Sequence, residues 1–361
     1  MSYDNTLDTR IARLSDQRNI ALAGSALTFL LGCISPIDAV AAGKYCSDTA
    51  TALNRACGFD LQDNYWESVA ICTNETDPVD RTECLAEADS ARGESKALCK
   101  EQLQGRLSAC SALGEGRYDP HFEPWLFDKN FNRLTRPNRY YPLRIGNRWE
   151  YWTGTRGVQS EFGSVEIFSD TKLIDEVTCI VARDLVYEAD GTLIEATDDW
   201  YAQAKNGDVW YCGEEVKNYE SFEGDQPKNP ELVSIDGRFK ADIDGAKPGI
   251  IFKAVPVVGQ TYLEEFSLGN AEDIAQVFSK TYHFGEDKEL DRFVPPNLAK
   301  LLCHHDCVVT ENTSLLEPGV VERKYYAPGI GTFLETNPDS GEITRLVKCN
   351  FHELCASLPT P

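Results

Sequence analysis

Within the stretch LLCHHDCVV, Leu301 to Val309, two cysteines, two histidines and an aspartate occupy the consecutive positions Cys303, His304, His305, Asp306 and Cys307. Thiolates and imidazoles at short spacing are zinc ligands, a C-x-x-C-H run would attach haem, and in an oxidising compartment cysteines form disulfides instead. The haem spacing is missing. The choice between zinc and disulfide therefore turns on where the chain folds.

Other residue types that could do chemistry are scattered. Asp119, His121 and Glu123 alternate along DPHFE and would share one side of an extended chain, but nothing marks further ligands, so a solvated linker is expected. Asp242-Ile243-Asp244-Gly245 opens like a calcium loop but lacks the downstream glutamate; turn chemistry accounts for it. There is no G-x-S-x-G elbow, no H-E-x-x-H (His352-Glu353 stands alone), no phosphate loop and no dinucleotide fingerprint. With 58 Asp and Glu in the chain, acidic neighbours carry no signal of their own. No catalytic residue, cofactor or metal is expected.

The N-terminus fixes the compartment. A polar leader with Arg10, Arg13 and Arg18 precedes an apolar run from Ile20 to Ile34, then Pro36 and the small residues Ala39-Val40-Ala41-Ala42. This describes a secretory signal peptide over 1–42, too short for a comfortable transmembrane helix. Lipoprotein processing at Cys33, in LLGC, is the minority variant, and either route removes Cys33 as a free thiol. Twelve of the 13 cysteines remain, and an exported chain is expected to oxidise them. The protein should be periplasmic or extracellular, with no transmembrane segment after processing.

The formal charge is −23, and losing four aspartates and three arginines with residues 1–42 leaves −22. Such a surface repels nucleic acid and anionic membranes. Met1 is the only methionine, which suits an oxidising environment.

Residues 43–113 read as a helical hairpin. Cys46, Cys57, Cys72, Cys84, Cys99 and Cys110 stand in helix-forming composition at mirrored intervals of 11, 15, 12, 15 and 11. Steps of 11 and 15 turn a helical side chain by only about 20° and 60°, so each arm presents its cysteines on one side. Neighbours on one arm lie about 16 Å apart, too far to bridge. The pairs Cys46–Cys110, Cys57–Cys99 and Cys72–Cys84 follow, with a bend at Asn74–Pro78 and a kink at Gly58. A linker rich in aromatics and proline, 114–140, should pack on a neighbour.

From 141 to 350 the vocabulary is that of strands and turns, ahead of a short tail at 351–361. Twelve candidate strands joined by short connections predict an antiparallel meander, a half-barrel, barrel or sandwich. The fold class is thus α+β. The Asp190-Gly191 turn signal pairs the runs 177–188 and 193–204, putting Tyr187 opposite Ile194, Arg183 opposite Asp198 and Val181 opposite Trp200. This apolar-rich face reads as core, and if it lined a cavity, Arg183, Asp198, Trp200 and Tyr187 would be the ligand-binding residues. Cys179 and Cys212 flank the strand between them by nearly 10 Å on a flat sheet, so their pairing is left open. For the LLCHHDCVV run the expectation is Cys303–Cys355 and Cys307–Cys349, nested between adjacent strands, with His304 and His305 solvated.

The segments YYPLRIGNRWEY (140–151), DDWYAQAKNGDVWYCGEE (198–215) and VVERKYYAPGIGTFLE (320–335) resemble an uncharacterised family of exported bacterial proteins. The resemblance implies architecture and export, and no activity. Three functions are consistent with all this: a non-catalytic exported protein binding a small or amphipathic ligand or a partner on a curved sheet, a stapled scaffold for surface assembly, or a hydrolase with unidentified carboxylates.

Overall fold

The computed structural model describes residues 43–361. The expected signal peptide and any processing at Cys33 lie outside the described residues. The chain divides into two compact units, the first holding residues up to Cys110 with Gly114–Arg117 and the second Ser111–Leu113 with Tyr118–Pro361.

In the first unit, α1 (Tyr45–Thr73) and α2 (Pro78–Leu113) are long antiparallel helices. Asp77 caps α2 by accepting hydrogen bonds from the Val79 and Asp80 amides, and Pro78 occupies the first turn where no amide is needed. α1 runs unbroken through Gly58. The bridges are Cys46–Cys110, Cys57–Cys99 and Cys72–Cys84, with Cα separations of 5.6, 5.8 and 5.5 Å. Few apolar side chains are buried here besides the cysteines, chiefly Ala50, Leu61, Ala88 and Ala109. Two helices with so thin a core depend on their cross-links.

The second unit is one antiparallel sheet. Its strands are β1 (Arg148–Thr155), β2 (Val158–Ile174), β3 (Val177–Glu188), β4 (Leu193–Gln203), β5 (Val209–Glu220), β6 (Glu231–Ser234), β7 (Phe239–Lys240), β8 (Gly249–Phe252), β9 (Thr261–Leu263), β10 (Asp273–Tyr282), β11 (Cys307–Ser314), β12 (Val321–Ala327), β13 (Gly331–Thr336) and β14 (Glu342–Cys349). The order β6-β5-β4-β3-β2-β1-β14-β13-β12-β11-β10-β9 is a meander joined across β1 and β14, so the first and last long strands are neighbours. That path is open. Its ends are nonetheless brought together, because β8 pairs with β5 while Lys247 bridges to Phe266 just beyond β9. Gly249 abuts the Glu264 carbonyl so closely that a Cβ would collide with it. The short α3 (Pro296–Leu302), absent from the sequence reading, buries Leu298, Ala299 and Leu302.

Curling gives the sheet an inner and an outer face. Residues remote in the strand order meet on the inner face: Tyr141, ahead of β1, packs on Tyr201 of β4 with ring centroids 5.3 Å apart, and Phe252 of β8 on Tyr326 of β12 at 4.5 Å. On the outer face of β4 and β5, Phe122 and Phe127 pack against Trp210 at 5.7 and 5.9 Å. The aromatic linker is therefore part of the β unit's hydrophobic core.

Three expectations need correction, and one pairing left open is answered. The β3–β4 register holds from Ile180–Tyr201 to Val186–Glu195, but Tyr187 pairs with Leu193, not Ile194. The cause is the turn, a wider loop closed by Gly191 N to Glu188 O and Glu188 N to Thr192 O, with Gly191 left-handed at φ 92°. Second, the Arg183 face is the outer one and is core only at its Cys179, Trp200 and Ala202 end, with Arg183 itself exposed; Ile180, Ala182, Asp199 and Tyr201 point inward and are buried. Third, Cys179 and Cys212 are bonded, with Cα atoms 6.7 Å apart, although both hairpins form. Cys212 sits in a bulge between the Tyr201–Tyr211 and Trp200–Gly213 pairs, and Cys179 lies just past the last β3–β4 pair, so the flat-sheet separation does not apply. Fourth, the last bridges are local, Cys303–Cys307 and Cys349–Cys355. The nested pairing needed β11 beside β14, and β12 and β13 stand between them.

Candidate functional site

The inner face changes character along the strands. On β3, Ile180 and Ala182 are fully buried, and the next inward residue is Asp184. On β4 the inward series is Tyr201, Asp199, Thr197 and Glu195. From the far side come Lys324 on β12, Glu335 on β13 and Thr310 and Asn312 on β11, which the register aligns as Thr310–Lys324–Glu335. Asp184, Glu214, Lys324 and Glu335 are half-buried on this face.

Two bulges add carboxylates that strict alternation would turn outward. The bulge at Cys212 lets Tyr211 and Glu214 share the inner face, with Glu214 aligned to Asp199. After β9, the Glu264 and Glu265 amides both donate to the Asp273 carbonyl, an arrangement that turns both side chains toward the same side.

Hydrogen bonds tie this set together. The Tyr211 hydroxyl lies 2.5 Å from Asp199 Oδ1 and 2.9 Å from Glu214 Oε2. Thr310 Oγ1 donates to Asn312 Oδ1, and Asn312 Nδ2 donates to Glu264 Oε2, each at 2.6 Å. Glu264 is 3% exposed, and its Oε1 has no partner. A buried acceptor left unmade is costly. Among the described residues no side-chain hydrogen bond or ion pair holds the Lys324 ammonium; it stands in the field of several carboxylates.

The electrostatics follow from that crowding. Burial raises the Asp184 carboxyl well above the ordinary range, assisted by Asp199, Glu195 and Glu335, the last contributed from four strands away round the sheet. Burial likewise raises Asp199, Glu214, Glu265 and Glu335. Glu264 is pushed up to about 7, by burial first. Burial opposes the charge on Lys324, but Glu335, Glu264 and Glu322 outweigh it and hold the ammonium protonated. Tyrosine faces complete the lining: Tyr201 stacks on Tyr211 at 5.1 Å, with Tyr141 at the edge of Tyr201.

The residues singled out from sequence lie elsewhere. Arg183 donates from Nε and Nη2 to the two Asp198 oxygens at 2.7 and 2.9 Å, on the outer face, with its side chain 46% exposed. Trp200 is buried beneath Lys172, whose Nζ is 3.5 Å from the ring centroid, and Tyr187 packs beside Phe162 at 6.2 Å. The four share one face, as the register requires, and that face turns away from the acidic interior. Asp119 pairs with Lys247 at 3.0 Å, while His121 turns to Glu123 at 3.1 Å. Asp242 and Asp244 adopt left-handed turn conformations at φ 67° and 52°.

No protein-family model matches the sequence, and no curated protein matches it. Among solved structures, the chain is similar to a protein of Bacteroides fragilis called an exported protein with a YmcC-like fold: 12% identity, TM-score 0.33, covering 59% of this chain and 99% of that one. It is also similar to one of Parabacteroides distasonis called a lipoprotein, at 12% identity and TM-score 0.30, with the same coverage.

Proposed function

We propose that this is an exported, non-catalytic binding protein whose curled sheet takes a small organic cation, an amine or quaternary ammonium, into its acidic, tyrosine-lined interior. Export is supported by the N-terminal sequence and by the oxidation of all twelve described cysteines. No helix among the described residues is long and apolar enough to cross a membrane.

The observation that carries the ligand class is Glu264 Oε1, a buried carboxylate oxygen without a partner, in a set of inward carboxylates faced by one ammonium. A cation would supply the missing partner, and the Tyr141, Tyr201 and Tyr211 rings offer the faces on which alkylammonium groups rest. The test is thermal shift near pH 8 with choline, putrescine and caprylate. A rise in melting temperature with either cation supports the reading. A rise with caprylate alone replaces it with an anionic amphiphile.

One observation favours a second reading. Asp199 and Glu214 meet on a single tyrosine hydroxyl with raised carboxyl pKa values, the arrangement of an acid and a base for hydrolysis. Turnover of chromogenic glycosides or esters that disappears in Glu214→Gln would establish it.

A further inference from the structure

Two histidines outside the acidic interior stand together on the surface. His283 directly follows β10, and the Tyr282–Cys307 register pair sets the end of β10 beside the start of β11. His305 belongs to the five-residue loop that the Cys303–Cys307 bridge closes, held left-handed at φ 63°. The two rings meet with centroids 3.5 Å apart, inclined by 43°.

Glu286, three residues after His283, brings its Oε2 to 2.9 Å from His283 Nδ1. That nitrogen is shielded from solvent yet has no hydrogen bond, because the carboxylate oxygen is out of line for one. One donor atom from each of His283, Glu286 and His305 lies within 4.8 Å of the other two.

Both backbones that carry these side chains are fixed. Asp291 accepts from the Tyr282 hydroxyl and the Gly285 amide, each at 2.9 Å, which sets the turn from 282 to 286. On the other side Asp306 accepts from the His304 amide at 3.0 Å and from Arg139 at 2.9 Å, so it braces the loop and is not available as a ligand. The sulfurs of the CHHDC run are used up in the disulfide, and what the short loop presents is an imidazole.

We propose that His283, Glu286 and His305 bind a divalent zinc-type ion through two imidazole nitrogens and one carboxylate oxygen, leaving the fourth position to water or to a side chain of a binding partner. Zinc takes these donors at about 2.0–2.2 Å, so the three must draw in, and the 55% exposed Glu286 side chain is free to do so. Two imidazoles and a carboxylate suit zinc and its first-row neighbours, whereas calcium and magnesium prefer all-oxygen shells. Three protein ligands with an open position are the pattern of reactive or partner-completed sites, not of closed structural ones.

The experiment is calorimetric titration of the oxidised, full-length mature protein with zinc, and with cobalt followed by its visible absorption. One saturable site per chain is expected, insensitive to excess calcium. His283→Ala and His305→Ala should each weaken it by at least the roughly 10–100-fold that even a supporting residue typically commands. Glu286→Gln should weaken it and alter the cobalt spectrum. The neighbouring His304→Ala should leave it unchanged. Absence of a saturable zinc site, or zinc binding that survives both His283→Ala and His305→Ala, overturns the proposal.

Discussion

Tyr211 Oη lies 2.5 Å from Asp199 Oδ1 on the neighbouring strand. The same hydroxyl is 2.9 Å from Glu214 Oε2. A tyrosine has one proton, so a full hydrogen bond to each acid calls for a proton on one of the two carboxyls. Burial, which raises the pKa of both acids, favours retaining that proton. A cation entering this site would take the place of a proton.

Stability should fall as pH rises from about 4.5 to about 8. For carboxyls raised on folding, the native state binds protons more tightly than the unfolded chain, so the contribution is complete below the unfolded value and lost on passing through the folded one. Glu264, moved from 4.5 to about 7, corresponds to roughly 3 kcal/mol at about 1.4 kcal/mol per pH unit. Denaturant unfolding at mildly acidic and mildly alkaline pH should show the wild type losing stability. Glu264→Gln should flatten the profile and be the more stable protein near pH 8; an unchanged slope would show that Glu264 ionises freely.

Gly249→Ala should open the seam between β8 and the residues after β9. An added methyl meets the Glu264 carbonyl, which is backbone and cannot rotate away. The cost should reach or exceed the roughly 1–3 kcal/mol typical of overpacking. Hydrogen exchange should quicken at β8 and β9 first; uniform exchange would argue that the seam contributes nothing local.

Mild reduction should unfold the helical hairpin. Its three bridges each contribute about 3–4 kcal/mol in the chain-entropy picture, against a core of little more than Ala50, Leu61, Ala88 and Ala109. Far-ultraviolet helical signal should drop while near-ultraviolet aromatic signal persists, because Cys179–Cys212 is fully buried. Simultaneous loss of both signals would contradict this.

How much of this was legible in the sequence depends on whether the pattern was periodic. Mirrored cysteine spacing specifies one antiparallel helix register, and the hairpin bridges follow from it. Alternation located nearly all of the strands and aligned Arg183 with Asp198. It could not say which face turns inward, since Arg183, Leu185 and Trp200 lie opposite Asp184, Val186 and Asp199, two faces of similar polarity. Curling decided that, and it comes from contacts between strands far apart in sequence. Bulges were equally hidden: one residue too many at Cys212 turns Glu214 inward and brings Cys212 to Cys179. Glu264 and Glu265 look like surface residues in a chain with 58 acidic ones. The bridges at Cys303–Cys307 and Cys349–Cys355 join neighbours that the sequence had assigned to each other's partners, because strand order was unknown.

The most direct measurement is calorimetric titration of choline into the oxidised protein near pH 8 and again near pH 5.5, with Glu214→Gln, Glu264→Gln and Arg183→Met alongside. Saturable binding is expected, tighter at the higher pH, where cation entry has fewer protons to displace from Asp199, Glu214 and Glu264. Each glutamine variant should weaken it by roughly tenfold, the scale of losing one Coulombic partner of the cation. Arg183→Met, on the outer face, should bind like the wild type. Tighter binding at pH 5.5, or loss of binding in Arg183→Met with both glutamine variants unaffected, would contradict an acidic, cation-binding interior.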